Sequence, residues 1–115
     1  MTSHVRIVES ASVLSERVAD ASGASTAFTN FPAVTDKRNY VTTLHIYNSS
    51  ATAGYVDFRD GASGAVLWTA AAPAGGGVVI SRDGPIFRTG LNSALAYDVS
   101  AALTTVYISV SGFQA

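Results

Sequence analysis

From Ser25 to the C-terminus the chain is a succession of short β-type runs, each cut off by residues that favour turns, and no stretch there sustains an amphipathic helical period. Residues 40–47 form the clearest strand, with Leu44 and Ile46 on one face and Val41, His45 and Tyr47 on the other. Residues 48–54 break it. Residues 55–59 then set Val56 and Phe58 against Tyr55, Asp57 and Arg59, and Asp60-Gly61 with Gly64 lets the chain reverse into residues 65–69. There Val66 and Trp68 share a face, with Leu67 opposite. Pro73 and Gly75-Gly76-Gly77 make a connection, because proline denies a ladder donor and consecutive glycines lose much entropy in regular structure. Residues 78–81 follow, Asp83-Gly84-Pro85 stops them, and residues 86–88 make a short strand or bend before a turn at Gly90-Leu91-Asn92. Residues 94–99 align Leu95, Tyr97 and Val99, and residues 104–110 turn Val106, Ile108 and Val110 inward with Thr105, Tyr107 and Ser109 outward. The expected fold is all-β: an antiparallel two-sheet sandwich, jelly-roll-like, of about seven or eight strands, occupying residues 24–115.

Residues 1–23 differ in character. They are polar and rich in Ser and Ala, with apolar groups at Val5, Ile7 and Val8, then Val13, Leu14 and Val18, that fit neither a helical nor a strand period. Val5 and Ile7 alternate as in a short strand, whereas residues 15–21 suit one or two helical turns capped by Ser12 or Ser15. The segment reads as an N-terminal arm or loosely docked piece that a partner would order.

At 115 residues the chain suffices for one core, burying roughly 65% of the surface its unfolded form exposes. Charged residues make up only 13% of it, against roughly 25% in ordinary soluble domains. Much of the outer surface is then Ala, Ser, Thr and Gly, which cost little to desolvate and suit packing against neighbours. The net charge of -1 offers no positive field to gather phosphates, so no nucleic-acid partner is expected; Lys37-Arg38, the one adjacent basic pair, reads as a solvated turn. With no cysteine, disulfides, thiolate nucleophiles and cysteine-ligated zinc are excluded. The first twelve residues lack a signal-peptide pattern, and no run approaches the roughly 18 apolar residues of a membrane span. Synthesis in the cytoplasm without export and no membrane partner are the expectations.

Catalytic groups are sparse. His45 with Asp57 as its orienting carboxylate and a serine nucleophile would make a hydrolase, but no elbow motif exposes a serine. Asp57 and Asp60 are the nearest acidic pair; Asp60, like Asp83, is explained by turn chemistry. The glycine triplet lacks the Lys-Ser/Thr pair of a phosphate loop, no loop gathers enough oxygen ligands for calcium, and Asn48-Ser49-Ser50 is a glycosylation pattern short enough to arise by chance. The chain reads as a non-enzyme with no cofactor, no metal and no small-molecule substrate. Among the aromatics Tyr47, Tyr55, Trp68, Tyr97 and Tyr107, Trp68 reads as core. Tyr55, Tyr97 and Tyr107 form a candidate stacking strip for a glycan or a protein partner. With Val5, Ile7, Val13 and Leu14 of the arm they are the candidate partner-binding residues.

The ordered succession Leu44-His-Ile-Tyr-Asn-Ser-Ser, Tyr55-Val-Asp-Phe-Arg-Asp-Gly, Ala65-Val-Leu-Trp, Pro73-Ala-Gly-Gly-Gly, Thr89-Gly-Leu-Asn-Ser-Ala-Leu and Thr105-Val-Tyr-Ile-Ser-Val-Ser-Gly-Phe resembles the small β-sandwich structural proteins of tailed bacteriophages. It is most similar to head decoration, or cement, proteins, over residues 40–115. That resemblance implies a virion protein on the capsid exterior, made in the host cytoplasm, a homotrimer that binds and stabilises the shell of major capsid protein. It also implies a role for the arm on a neighbouring subunit. A tail or neck component, or a carbohydrate- or receptor-binding sandwich module, is the alternative.

Overall fold

The computed structural model describes residues 12–115. Nine strands follow one another: β1 (Ser12–Asp20), β2 (Thr26–Ala27), β3 (Asn39–Asn48), β4 (Gly54–Asp60), β5 (Val66–Ala72), β6 (Gly77–Ser81), β7 (Phe87–Arg88), β8 (Leu95–Val99) and β9 (Val106–Gln114). No helix occurs among the described residues. One sheet runs β1-β9-β3-β6, with β7 also paired to β3, and the other runs β2-β8-β4-β5. Every pairing is antiparallel. The expected all-β two-sheet sandwich is therefore present, with two very short strands bringing the number to nine.

The pairings are nested. β4 pairs with β5, β3 with β6 and β7, β2 with β8, and β1 with β9. The chain is thus one long hairpin whose tip is the turn after Asp60, rolled up so that successive rungs fall in alternate sheets; β3–β9 and β4–β8 then join neighbouring rungs. This is the jelly-roll arrangement. At the tip, Gly61 takes a positive φ of 83°, and the Asp60 N–H donates to the Ala65 carbonyl at 2.9 Å.

Alternation orients most strands as expected: Leu44, Ile46, Val56, Phe58, Leu95, Tyr97, Val99, Val106, Ile108 and Val110 are all buried between the sheets. Two bulges reverse two of the expected faces. The β3–β9 register shifts between Val41 and Thr43, which returns Val41 to the core side with Leu44. The β4–β5 register shifts so that Phe58 faces Trp68 but Arg59 faces Val66. Val66 is therefore 46% exposed instead of sharing the face of Trp68, and Leu67 packs against the core. Trp68 is partly buried there, stacked 6.1 Å from Phe87. Phe28 and Phe31, from the segment between β2 and β3, complete the core. Phe28 lies 4.7 Å from Tyr97 and 6.0 Å from Phe31 by ring centres, and full burial of each such ring stabilises by about 1.5–3 kcal/mol.

The helical reading of residues 15–21 is corrected, and so is the arm boundary at Gly23 for residues 12–20. β1 runs as a strand against β9 from Ser12↔Gln114 to Asp20↔Val106. Leu14 and Val18 turn inward against the core while Val13, Ser15, Arg17 and Ala19 alternate outward. A period of two that places Glu16 between Leu14 and Val18 is hard to see in the sequence. In the fold Glu16 lies at the sheet margin, where its carboxylate accepts the Asn30 and Thr29 N–H groups at 2.6 and 3.3 Å. Asp20 ends the strand, accepting from the Gly23 N–H and the Ser22 hydroxyl at 3.0 Å each.

Buried polar side chains tie the loops down. The Asn39 amide donates to the carbonyls of Phe31, Pro32 and Ser93, and its oxygen accepts from Gln114 Nε2 at 3.1 Å. Asn48 is fully buried and donates to Thr52 and Ala72 carbonyls, which leaves no amide free for a glycan. The Asp60 carboxylate accepts from the Gly90 N–H at 2.9 Å, so it joins two distant loops in addition to ending β4. Gly77 starts β6 where any Cβ would collide with the Ile46 carbonyl; its glycine is required by close approach of β6 to β3.

Candidate functional site

Register lays four rows of side chains across the outer face of the β1-β9-β3-β6 sheet. They are Val13–Phe113–Tyr40, Ser15–Ser111–Thr43–Ser81, Arg17–Ser109–His45–Val79 and Ala19–Tyr107–Tyr47–Gly77. Arg88 of β7 extends the first row beyond Tyr40. Arg17 and Arg88 are the permanently ionised side chains of these rows. The first row holds a stacked pair, Tyr40 and Phe113, with ring centres 4.7 Å apart. In the last, Tyr47 and Tyr107 stack at 6.3 Å, and the Arg17 guanidinium lies 4.7 Å from the centre of the Tyr107 ring. A hollow of about 180 Å³ is lined by Arg17, His45, Tyr47, Tyr107 and Ser109. A wider open groove of about 480 Å³ shares Arg17, His45 and Ser109 and continues over Ser15, Thr43 and Ser111 to Asn30, with Glu16 and Val110 also at its wall.

The opposite sheet presents a different surface. Asp57 accepts from the Thr69 hydroxyl at 2.6 Å, Arg59 pairs with Asp98 at 3.3 Å, and Tyr55 is 48% exposed at its margin. Arg59 and Asp98 thus pair with each other, while Asp57 is held by a hydroxyl.

The candidate strip of Tyr55, Tyr97 and Tyr107 does not form. Tyr97 faces the core and is only 7% exposed, while Tyr55 belongs to the β2-β8-β4-β5 sheet and Tyr107 to the other. Burial is also the largest cause raising the Tyr97 pKa, against the lowering influence of the nearby Thr26 hydroxyl, and the carboxylates of Asp20 and Glu16 add to the rise. Tyr107 instead finds Tyr47 and Arg17. Outward alternation of His45 and Tyr47 was readable in the sequence, but their meeting with residues of β9 and β1 depends on strand order. Val13 is 74% exposed on the outer face of β1, whereas Leu14 points inward; Val5 and Ile7 lie outside the described residues. The His45–Asp57 pairing is overturned as well. His45 stands on the outer face of one sheet and Asp57 on that of the other, with the core between them. Among the described residues no three His, Cys, Asp or Glu side chains are placed to hold a metal ion.

No protein-family model matches the chain, and no curated protein matches it. Among solved structures it is similar to a chain described under "Bacillus endospore appendages form a novel family of disulfide-linked pili". The TM-score is 0.37 and the identity 11%, over 88% of this chain and 89% of that one. A likeness of that size carries no argument about function.

Proposed function

We propose that this protein is a non-enzymatic structural protein of a tailed-phage virion, a capsid decoration protein that binds the major capsid protein as a homotrimer on the shell exterior. The observation that supports the reading is the outer face of the β1-β9-β3-β6 sheet. Its rows carry Ser, Thr, Ala, Val and aromatic side chains with His45, and two permanent charges, Arg17 and Arg88. Such a surface loses little solvation on docking against another protein, and modest contacts repeated in every copy around a closed shell add through avidity. The jelly roll also serves in viral coat domains, an analogy at the level of fold. Light scattering on the purified protein, followed by co-sedimentation with heads of the phage that encodes it, tests the proposal. A trimer that sediments with heads is expected. A monomer left in the supernatant overturns it, and sedimentation with isolated tails instead of heads moves the protein to the tail or neck.

A further inference from the structure

The hollow at the Arg17 end of this face differs from the rest of the sheet. Arg17, Ser109 and His45 stand side by side in one cross-strand row, and Tyr107 and Tyr47 close the end beside them. A guanidinium stacked on an aromatic ring, as Arg17 is on Tyr107, is held in place while its N–H fork stays available at the edge. The ion pair found among the described residues is Arg59–Asp98, on the opposite sheet. Glu16, next in the chain, lies at the wall of the adjoining groove, and its carboxylate is occupied by the Thr29 and Asn30 N–H groups. Among the described residues, then, the cation of the hollow has no carboxylate of its own.

Three features define what would fill it. A guanidinium fork beside a serine hydroxyl and an imidazole suits a carboxylate. Tyr47, 44% exposed, offers a ring on which the C–H face of a sugar can stack. Beyond the hollow, the groove is lined by Ser15, Thr43, Ser111 and Asn30, which match a chain of hydroxyls, with Val110 and the Glu16 carboxylate, already bonded to Thr29 and Asn30 N–H groups, also at its wall. An extended peptide would want main-chain partners, and on the face of a sheet these are already used in the ladder. We infer that this face is a binding site for an acidic oligosaccharide. A carboxylated sugar sits in the hollow with its carboxylate on Arg17 and its ring on Tyr47, and the following sugars run along the hydroxyl-lined groove. Sugar and capsid would compete for this face, so the site is tested on the free protein, where failure of either reading leaves the other standing.

The test is an amide-shift titration of the full chain with sialyllactose, a galacturonate tetramer and a hyaluronan tetramer. Lactose and the methyl esters of the two uronate tetramers serve as uncharged counterparts. At least one acidic probe is expected to shift amides around Arg17, Ser109 and His45 saturably, with its uncharged counterpart at least about tenfold weaker. Arg17→Gln and Tyr47→Ala each weaken binding about tenfold, and Tyr55→Ala on the other sheet leaves it unchanged. The same spectra report whether each variant is folded. Absence of saturation with every acidic probe, equal binding of the uncharged forms, or full affinity in a folded Arg17→Gln protein overturns the site. So does a polyglutamate peptide that binds as tightly as the sugars, which would make the hollow a general anion patch.

Discussion

The phenol of Tyr97 is held among Phe28, Phe58 and the start of β2, where burial penalises the phenolate and lifts its pKa above the ordinary value of about 10. The folded chain therefore keeps this proton at a pH where the unfolded chain has released it. The corresponding stability is intact below pH 10 and is lost as pH rises through the raised folded value. Tyr97→Phe is expected to cost little at neutral pH, yet to flatten the alkaline fall in stability. Urea unfolding of both proteins from pH 7 to 11 checks this, and parallel alkaline limbs would refute it. The inward direction of Tyr97 was legible from its alternation with Leu95 and Val99, so its place among exposed ligands conflicted with the same pattern that oriented it. Asn39 was not legible at all. Its burial depends on the carbonyls of Phe31, Pro32 and Ser93 converging on one amide, which no local pattern announces.

At the scale of elements, turn chemistry and period-two alternation were enough to find β3, β4, β8 and β9 and to orient their centres. They failed where one extra residue enters a strand: the bulges beside Thr42 and at Leu67 move Val41 and Val66 to the opposite face. They failed also at β1, where an acidic residue stands between two inward apolar ones and the ladder comes from a strand at the far end of the chain. This changes what truncation should do. A protein beginning at Ser12 keeps every rung of the β1–β9 ladder. One beginning at Ala24 loses the nine-residue edge strand and the packing of Leu14 and Val18. Against a typical total stability of about 5–15 kcal/mol, that loss should lower Tm by at least about 10 °C or abolish folding. Thermal melts by circular dichroism decide, and an unchanged Tm for the shorter protein would return β1 to the status of an appendage.

The rolled hairpin makes the first and last described strands partners, and the candidate site lies where they meet. Arg17 comes from β1, Ser109 and Tyr107 from β9, and His45 and Tyr47 from β3, which is why the separate residues were visible in the sequence but the constellation was not. The same topology orders assembly. Closing the β4–β5 turn joins near neighbours, whereas pairing Asp20 with Val106 joins residues far apart in the chain and bears more of the loop entropy. The contacts are dominated by such distant pairings, so refolding on a timescale of milliseconds to seconds is expected. The tip rung should form in the transition state and the terminal rung after it. Val18→Ala in β1 should therefore speed unfolding with a φ-value of about 0–0.3, while Phe58→Leu in β4 should slow folding with φ of about 0.5 or more. Stopped-flow chevrons of the two variants measure both. The reverse order would mean that the chain ends pair first and that the site is built before the core it rests on.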